Sequence, residues 1–104
     1  MIVYKRILVP LEHTAYDEAI LEHVRMLAGF CHAAVILIHV ADGWAARNVK
    51  QLNLRESEEM RLDREYLDRA CESLSAEGLH VESILAGGSP APEIAAAATA
   101  STAI

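Results

Sequence analysis

The sequence predicts an α/β fold of three layers, a parallel β-sheet with helices on both faces. Short apolar runs rich in β-branched residues alternate with longer segments of helical periodicity, in the order strand, helix, strand, helix, strand, helix. Residues 34–40 are apolar at nearly every position, as is typical of parallel strands that helices cover on both sides. Right-handed crossovers are therefore expected between successive strands.

The first half of the chain predicts two strands and one helix. Residues 5–9 form the first strand, and the polar corner that follows ends at Thr14, a good helix N-cap. Asp17 stands three residues later, in the position of a capping-box acid. The first helix then runs to about Gly29, with apolar residues at helical spacing, and residues 34–40 form the second strand. A loop is expected over residues 41–53.

The second half predicts a long amphipathic helix, a strand and an alanine-rich helix. The long helix runs from about residue 54 to 77, with opposite charges four residues apart on its outer face. Gly78 ends it, because glycine readily adopts the left-handed conformation that closes many helices. A strand follows at residues 80–85, then a turn at Gly87 and Gly88, and the last helix begins at Pro90 and ends near residue 100.

Composition and charge exclude several classes of protein. The 104 residues suffice for one domain, and an apolar share of 53% indicates a globular chain. A net charge of −6 without a basic cluster argues against a nucleic-acid partner. No apolar run approaches the roughly 18 residues of a membrane span, and the N-terminal run is too short for a signal peptide. We therefore expect a cytoplasmic protein without a membrane partner, in which Cys31 and Cys71 stay reduced.

Three motifs resemble the universal stress protein family. Residues 4–14 read Tyr-Lys-Arg-Ile-Leu-Val-Pro-Leu-Glu-His-Thr, similar to the family's lysine-rich start, its Ile-Leu-Val-Pro strand and its Val-Asp-Gly-Ser corner. Residues 33–40 resemble the family's second strand, which ends in His-Val. Residues 86–94 resemble the Gly-x-Pro turn before its third helix. The motifs occur in family order and at family spacing along the whole chain.

The resemblance implies an adenine nucleotide alpha hydrolase-like sheet of five parallel strands in the order 3-2-1-4-5. Some members bind ATP and others do not, so the resemblance implies no certain cofactor for this chain. In members that bind, the first-strand corner and the end of the second strand meet the adenosine part. By position, the nucleotide-binding residues implied here are Pro10, Leu11, Glu12, Thr14 and Val40.

The family's phosphate-binding loop, Gly-x2-Gly-x9-Gly-Ser/Thr, has no counterpart in this sequence, whose glycines stand at 29, 43, 78, 87 and 88. We therefore expect residues 1–104 to be a single, C-terminally truncated domain without the family's fourth and fifth strands, carrying an incomplete ATP site. Triphosphate binding should be weak or absent, because the backbone N–H groups that hold phosphates are not encoded.

The first-strand corner departs from the family pattern at three positions. Glu12 replaces Asp, His13 replaces Gly and Thr14 replaces Ser. If the backbone at His13 needs a positive φ, that residue is strained where glycine is not. Each binding role also has a structural alternative: Glu12 as a solvated carboxylate, Thr14 as a helix cap, and Val40 as a core strand residue.

Other kinds of site find little support in the sequence. The five histidines show no metal-ligand spacing, and no serine lies in a Gly-x-Ser-x-Gly elbow. Gly87 and Gly88 before a helix could cradle an anion, but a tight turn is the favoured interpretation.

The sequence thus predicts a universal stress protein-like regulatory domain rather than an enzyme. The alternative is a dimerisation or interaction module that binds no nucleotide, and a nucleotide-hydrolysing enzyme ranks last. We also expect a homo-oligomer, because a sheet without the family's fourth strand would leave the first strand with an open edge.

Overall fold

The computed structural model describes residues 5–41 and 58–101 and confirms the alternation of strands and helices. The elements are β1 (Arg6–Pro10), α1 (Asp17–Cys31), β2 (Ala34–Ala41), α2 (Glu58–Ser75), β3 (Val81–Gly87) and α3 (Pro90–Ser101). The predicted loop after Ala41 and residues 54–57 of the predicted second helix lie outside the described residues. No helix in the described ranges combines the length and the apolar character needed to cross a bilayer.

The three strands form one parallel sheet in the order β1-β2-β3. Arg6 pairs with Ala34 at one end of the β1–β2 ladder and Pro10 with Ile38 at the other. The β2–β3 ladder runs from Val35 opposite Val81 to Ala41 opposite Gly87. Within the described ranges β1 therefore pairs on one side only, and the carboxyl ends of all three strands lie at the same edge of the sheet.

Different helices pack on the two faces of the sheet. On one face Val9, Val35 and Leu37 pack against α1 and α2, whose Leu21, Val24, Ala28, Leu67 and Leu74 complete the core. Side chains alternate along a strand, so Ile36, Ile38 and Val40 point to the opposite face, where α3 crosses β2. The prediction of helices on both faces is confirmed.

Both ends of α1 differ from the sequence-based expectation. The helix begins at Asp17 rather than directly after Thr14, because the Asp17 carboxylate accepts the backbone N–H groups of the preceding corner and holds that corner as a separate turn. It passes through Gly29 and ends at Cys31. His32 adopts the left-handed conformation, with φ 55°, and its N–H bonds to the carbonyl of Ala28. A histidine thus closes a helix that was predicted to end at about Gly29.

Two glycines have the positive φ that their turns require. Gly78, with φ 88°, closes the turn in which α2 ends, as predicted, and its N–H donates to the carbonyl of Ser75 at 3.0 Å. Gly88, with φ 135°, turns the chain from β3 into α3, and its N–H donates to the carbonyl of Ala41 at 3.2 Å. Because that N–H is occupied and the Glu93 carboxylate lies beside Gly88, the structure favours a tight turn over an anion cradle.

Candidate functional site

A cleft of about 750 Å³ opens at the carboxyl ends of β1 and β2. Ligands of open α/β sheets characteristically bind at this edge, because loops and helix starts converge there on side chains from different strands. Its floor is formed by the ends of the two strands, and α1, α2 and α3 each contribute to its walls. The described residues that line it are Pro10, Leu11, Glu12, His13, Tyr16, Ile20, Ile38, His39, Val40, Ala41, Asp63, Pro90 and Ile94.

The corner between β1 and α1 is organised by a buried carboxylate. Asp17 is only 1% exposed. One of its oxygens accepts the backbone N–H of Glu12 at 3.0 Å, and the other accepts that of His13 at 2.8 Å and that of Thr14 at 3.4 Å. The second oxygen also accepts the Tyr66 hydroxyl from α2 at 2.6 Å. The side chain of α1's first residue therefore shapes the corner and ties it to α2.

These contacts shift the pKa values of both partners. Burial by itself would raise the pKa of Asp17, but the hydrogen bonds from Tyr66 and from the three backbone N–H groups outweigh it, so the pKa lies below its usual value. Burial raises the pKa of Tyr66, and the nearby Asp17 and Glu18 carboxylates raise it further. At neutral pH the contact therefore joins a charged carboxylate to a neutral phenol.

His13 has the left-handed backbone conformation that the family's glycine would adopt without strain. Its φ is 63°, so the expected conflict between residue type and backbone is present. The side chain makes two contacts that a glycine could not. Its ring stacks on that of Tyr66, with centroids 4.1 Å apart, and its Nδ1 lies 2.7 Å from Oδ1 of Asp63.

Asp63 lies between two imidazole rings and is 5% exposed. Its second oxygen is 3.2 Å from Nε2 of His39, whose Nδ1 lies 2.8 Å from the carbonyl oxygen of Leu11. A carbonyl only accepts hydrogen bonds, so Nδ1 of His39 carries a proton. The Asp63 carboxylate thus joins side chains of the β1 corner and of β2 in the wall of the cleft.

The structure places four of the five implied binding residues in the cleft. Pro10, Leu11, Glu12 and Val40 line it, and their contact with a nucleotide stays a prediction. Thr14 is exposed and is not among the lining residues. Its N–H faces Asp17 and its carbonyl accepts the N–H of Asp17 at 3.1 Å, so this residue belongs to the turn that leads into α1.

Three residues that sequence reasoning missed complete the site. Asp63 and Tyr66 come from a helix some fifty positions away, and the sequence analysis gave neither residue a role. Tyr16 was assigned to the apolar face of α1, yet it is 78% exposed at the mouth of the cleft. The one signal in the sequence was an acid inside the otherwise apolar stripe of α2, one turn before Leu67.

The lining chemistry suits a flat, mostly apolar ligand with a few polar groups. Apolar side chains from both strands and from α1 and α3 surround Glu12 and the two histidines. Among the described lining residues there is no lysine or arginine to neutralise several phosphates. In residues 5–41 and 58–101, no group of three or more His, Cys, Asp or Glu side chains has the arrangement of a metal site.

Comparisons with known proteins agree with this architecture. A hypothetical protein whose biochemical function was assigned from its structure shares 25% identity with a TM-score of 0.82, over 98% of this chain and 72% of its own. A universal stress protein family member from Burkholderia pseudomallei shares 23% identity, with a TM-score of 0.76 over 96% of this chain and 76% of its own. The universal stress protein of Archaeoglobus fulgidus in complex with dAMP shares 20% identity, with a TM-score of 0.71 over 100% of this chain and 78% of its own.

A sequence comparison with curated proteins found no match. The model of the universal stress protein family, by contrast, matches residues 3–103. That match includes β1 with its corner, β2 and the glycine turn before α3, which are the elements that build the cleft. The chain belongs to the universal stress protein family.

Proposed function

We propose that this chain is a cytoplasmic regulatory domain of the stress response whose cleft binds the adenosine part of an adenine nucleotide. The observation that carries the proposal is the cleft itself. It lies at the carboxyl ends of β1 and β2, it has the volume of a small-molecule site, and the implied contact residues of both strands line it together.

The walls of the cleft match the chemistry of a nucleoside. Pro10 and Val40 on the sheet and Ile94 on α3 offer apolar surface for a purine ring. Glu12 is exposed, and its hydrogen bond to Asp17 involves only its backbone N–H. Its carboxylate is therefore available to accept a hydrogen bond from a ribose hydroxyl or an exocyclic amino group. Binding of dAMP by the Archaeoglobus fulgidus relative supports an adenine nucleotide as the ligand class.

The same cleft favours few phosphates over many. Its described lining holds no lysine or arginine. Each added phosphate therefore brings negative charge into the cleft, and the described lining offers no cationic side chain to bind it. The described lining also holds no serine, threonine or cysteine, the usual nucleophiles, which favours a binding role over a catalytic one.

Isothermal titration with adenosine, AMP and magnesium ATP tests the proposal. We expect one site per chain for adenosine and AMP, and an affinity for ATP no higher than that for AMP. Low-micromolar ATP affinity at one site per chain would contradict the expectation that the cleft binds few phosphates. Failure of all three ligands to bind at millimolar concentration would overturn the nucleotide function.

A pair of tryptophan variants locates the site. Ile94→Trp places a large ring in the cleft and should weaken AMP binding about tenfold or more. The matched control is Leu62→Trp, at an exposed apolar residue of α2 that does not line the cleft, and it should leave AMP affinity unchanged. Equal affinities in the two variants would mean that AMP binds elsewhere.

The exposed apolar side chains of α1 favour a second candidate function. Met26 and Phe30 on α1 and Tyr16 directly before it are each at least 70% exposed. Such a surface is typical of an interaction module that associates with other chains without a nucleotide. The titrations above separate the candidates, since the module requires no nucleotide binding at all.

A further inference from the structure

The imidazole ring of His13 is held in one orientation in the wall of the cleft. It stacks on the ring of Tyr66 with 21° between the two planes, and its Nδ1 lies 2.7 Å from Oδ1 of Asp63. The ring of His39 stands perpendicular to it, with centroids 6.3 Å apart. A side chain that is already fixed in this way loses little conformational freedom when a ligand binds.

Asp63 determines which nitrogen of His13 can face a ligand as an acceptor. A carboxylate accepts hydrogen bonds, so Nδ1 of His13 carries the proton, and Nε2 of the neutral ring is an acceptor. Among the residues that the structure describes, no hydrogen bond or ion pair involves this Nε2, and the side chain is 34% exposed. His39 differs, because the Leu11 carbonyl and Asp63 engage both of its ring nitrogens.

Glu12 supplies a second acceptor at the adjacent position. It is exposed, and Asp17 binds its backbone N–H rather than its side chain. The corner between β1 and α1 thus offers two neighbouring acceptors, the Glu12 carboxylate and Nε2 of His13. The described lining holds no lysine or arginine that would occupy them. This part of the cleft therefore suits a ligand group with two neighbouring hydrogen-bond donors.

The remaining described lining is mostly apolar, with surface from β2 and from α3 at Val40 and Ile94. A nucleoside has the same division, since its purine ring is flat and its ribose carries two hydroxyl groups on adjacent carbons. The exocyclic amino group of adenine is also a donor, but it belongs to the ring system that the apolar walls suit. The ribose hydroxyls are therefore the donors that fit the corner.

We propose that Asp63 positions His13 so that its Nε2 accepts a hydrogen bond from a ribose hydroxyl, which makes His13 a specificity-determining residue for ribose over deoxyribose. The proposal rests on the proposed function, because it names the part of the nucleoside that the corner contacts. The glycine that the family has at this position cannot make the contact. A ligand that lacks the hydroxyl leaves the acceptor without its donor, which should weaken binding about five- to tenfold.

Isothermal titration with adenosine, 2′-deoxyadenosine and 3′-deoxyadenosine tests the specificity. The parent chain should bind adenosine about five- to tenfold more tightly than each deoxy analogue. His13→Phe retains a ring that can stack on Tyr66 but lacks both nitrogens, and it should lose one of the two preferences. The matched control is His80→Phe, at an exposed histidine that does not line the cleft, and it should keep both. A parent chain without a preference, or His13→Phe with both preferences intact, would overturn the proposal.

Variants of Asp63 test its positioning role. Asp63→Ala should lose the same preference as His13→Phe, whereas Asp63→Asn should keep it, because the amide oxygen still accepts the Nδ1 proton. NMR of the imidazole nitrogens at alkaline pH should show one His13 tautomer, protonated at Nδ1, in the parent chain and in Asp63→Asn, and a mixture in Asp63→Ala. Urea unfolding identifies the variants that remain folded. A mixture of tautomers in the parent chain would overturn the positioning role even if Asp63→Ala does not fold.

Inosine separates recognition of the sugar from recognition of the base, because it lacks the exocyclic amino group of adenosine. The ratio of adenosine to inosine affinity should be the same in the parent chain and in His13→Phe. A ratio that changes would mean that His13 contacts the base, contrary to the proposal. Failure of adenosine to bind would overturn the proposed function and this proposal together, whereas adenosine binding without a preference for ribose would overturn this proposal alone.

Discussion

Removing the buried carboxylate of Asp17 should destabilise the protein more than removing any other polar side chain of the corner. Asp17 satisfies three backbone N–H groups and the Tyr66 hydroxyl at once. The substitution Asp17→Ala leaves all four donors without their acceptor. The phenol at 2.6 Å is the costliest of the four, because it lies between two helices, whereas the corner N–H groups can turn to water.

The expected magnitude follows from these contacts. A hydrogen bond to a charged group contributes about 1.5–3 kcal/mol, and we assign about 1.5 kcal/mol to the bond with Tyr66. The three backbone N–H groups lie in an exposed turn and together add about another 1.5 kcal/mol. Asp17→Ala should therefore cost about 3 kcal/mol of unfolding free energy, and Tyr66→Phe about 1.5 kcal/mol. The double variant should cost about 3 kcal/mol rather than about 4.5 kcal/mol, because both changes remove the same bond.

Urea unfolding at pH 7, followed by circular dichroism, measures the three variants against the parent chain. A coupling energy near 1.5 kcal/mol confirms the contact between the two side chains. Strict additivity, or a loss below about 0.5 kcal/mol for Asp17→Ala, would refute the reasoning.

The pH dependence of stability provides an independent check. Because the folded pKa of Asp17 lies below the ordinary value of 3.8, its contribution is present above that value and is lost as pH falls through the folded pKa. As the pH falls below about 4, the unfolding free energy of Asp17→Ala should therefore decrease less than that of the parent chain.

Two further predictions concern the corner and the sheet. His13→Gly relieves a left-handed backbone, worth about 1 kcal/mol, but it removes the contacts with Asp63 and Tyr66. We expect a net loss of about 1–2 kcal/mol in urea melts, and a stabilised variant would show that backbone strain dominates. Ile36→Ala on the doubly covered strand should cost about 2–5 kcal/mol, whereas Glu12→Ala at the exposed strand end should change stability by at most about 0.5 kcal/mol. The reverse ranking would contradict the assignment of β2.

The order of elements could be predicted because its signals are local. The apolar run of β2, the helical spacing of α1 and α2, and the stop at Gly78 each depend on residues within a few positions of one another. Helix ends were harder to predict. The start of α1 depends on which backbone N–H groups donate hydrogen bonds to the Asp17 carboxylate. The end of α1 depends on His32, which adopts a left-handed conformation more common for glycine.

The site could be predicted only as far as its strand ends. Pro10, Leu11 and Glu12 follow the first predicted strand, and Val40 is the last residue of the second. Parallel strands bring their carboxyl ends to one edge, so the meeting of these residues in one cleft could be anticipated. Thr14 could not be placed from sequence alone, because its orientation depends on the turn that Asp17 stabilises.

By itself the sequence determined the fold class, the alternation of parallel strands with helices, and the presence of a histidine at the β1 corner where the family has glycine. The tertiary structure alone decided what that residue does. His13 gains a stacking partner and a hydrogen-bond partner from α2, about fifty positions along the chain, and Asp63 gains His39 from β2. It also decided which apolar residues of α1 are buried, since Leu21, Val24 and Ala28 pack in the core whereas Met26 and Phe30 are largely exposed. The physical reason is that periodicity and capping act between near neighbours, whereas burial and charge pairing depend on which helices the crossovers bring together.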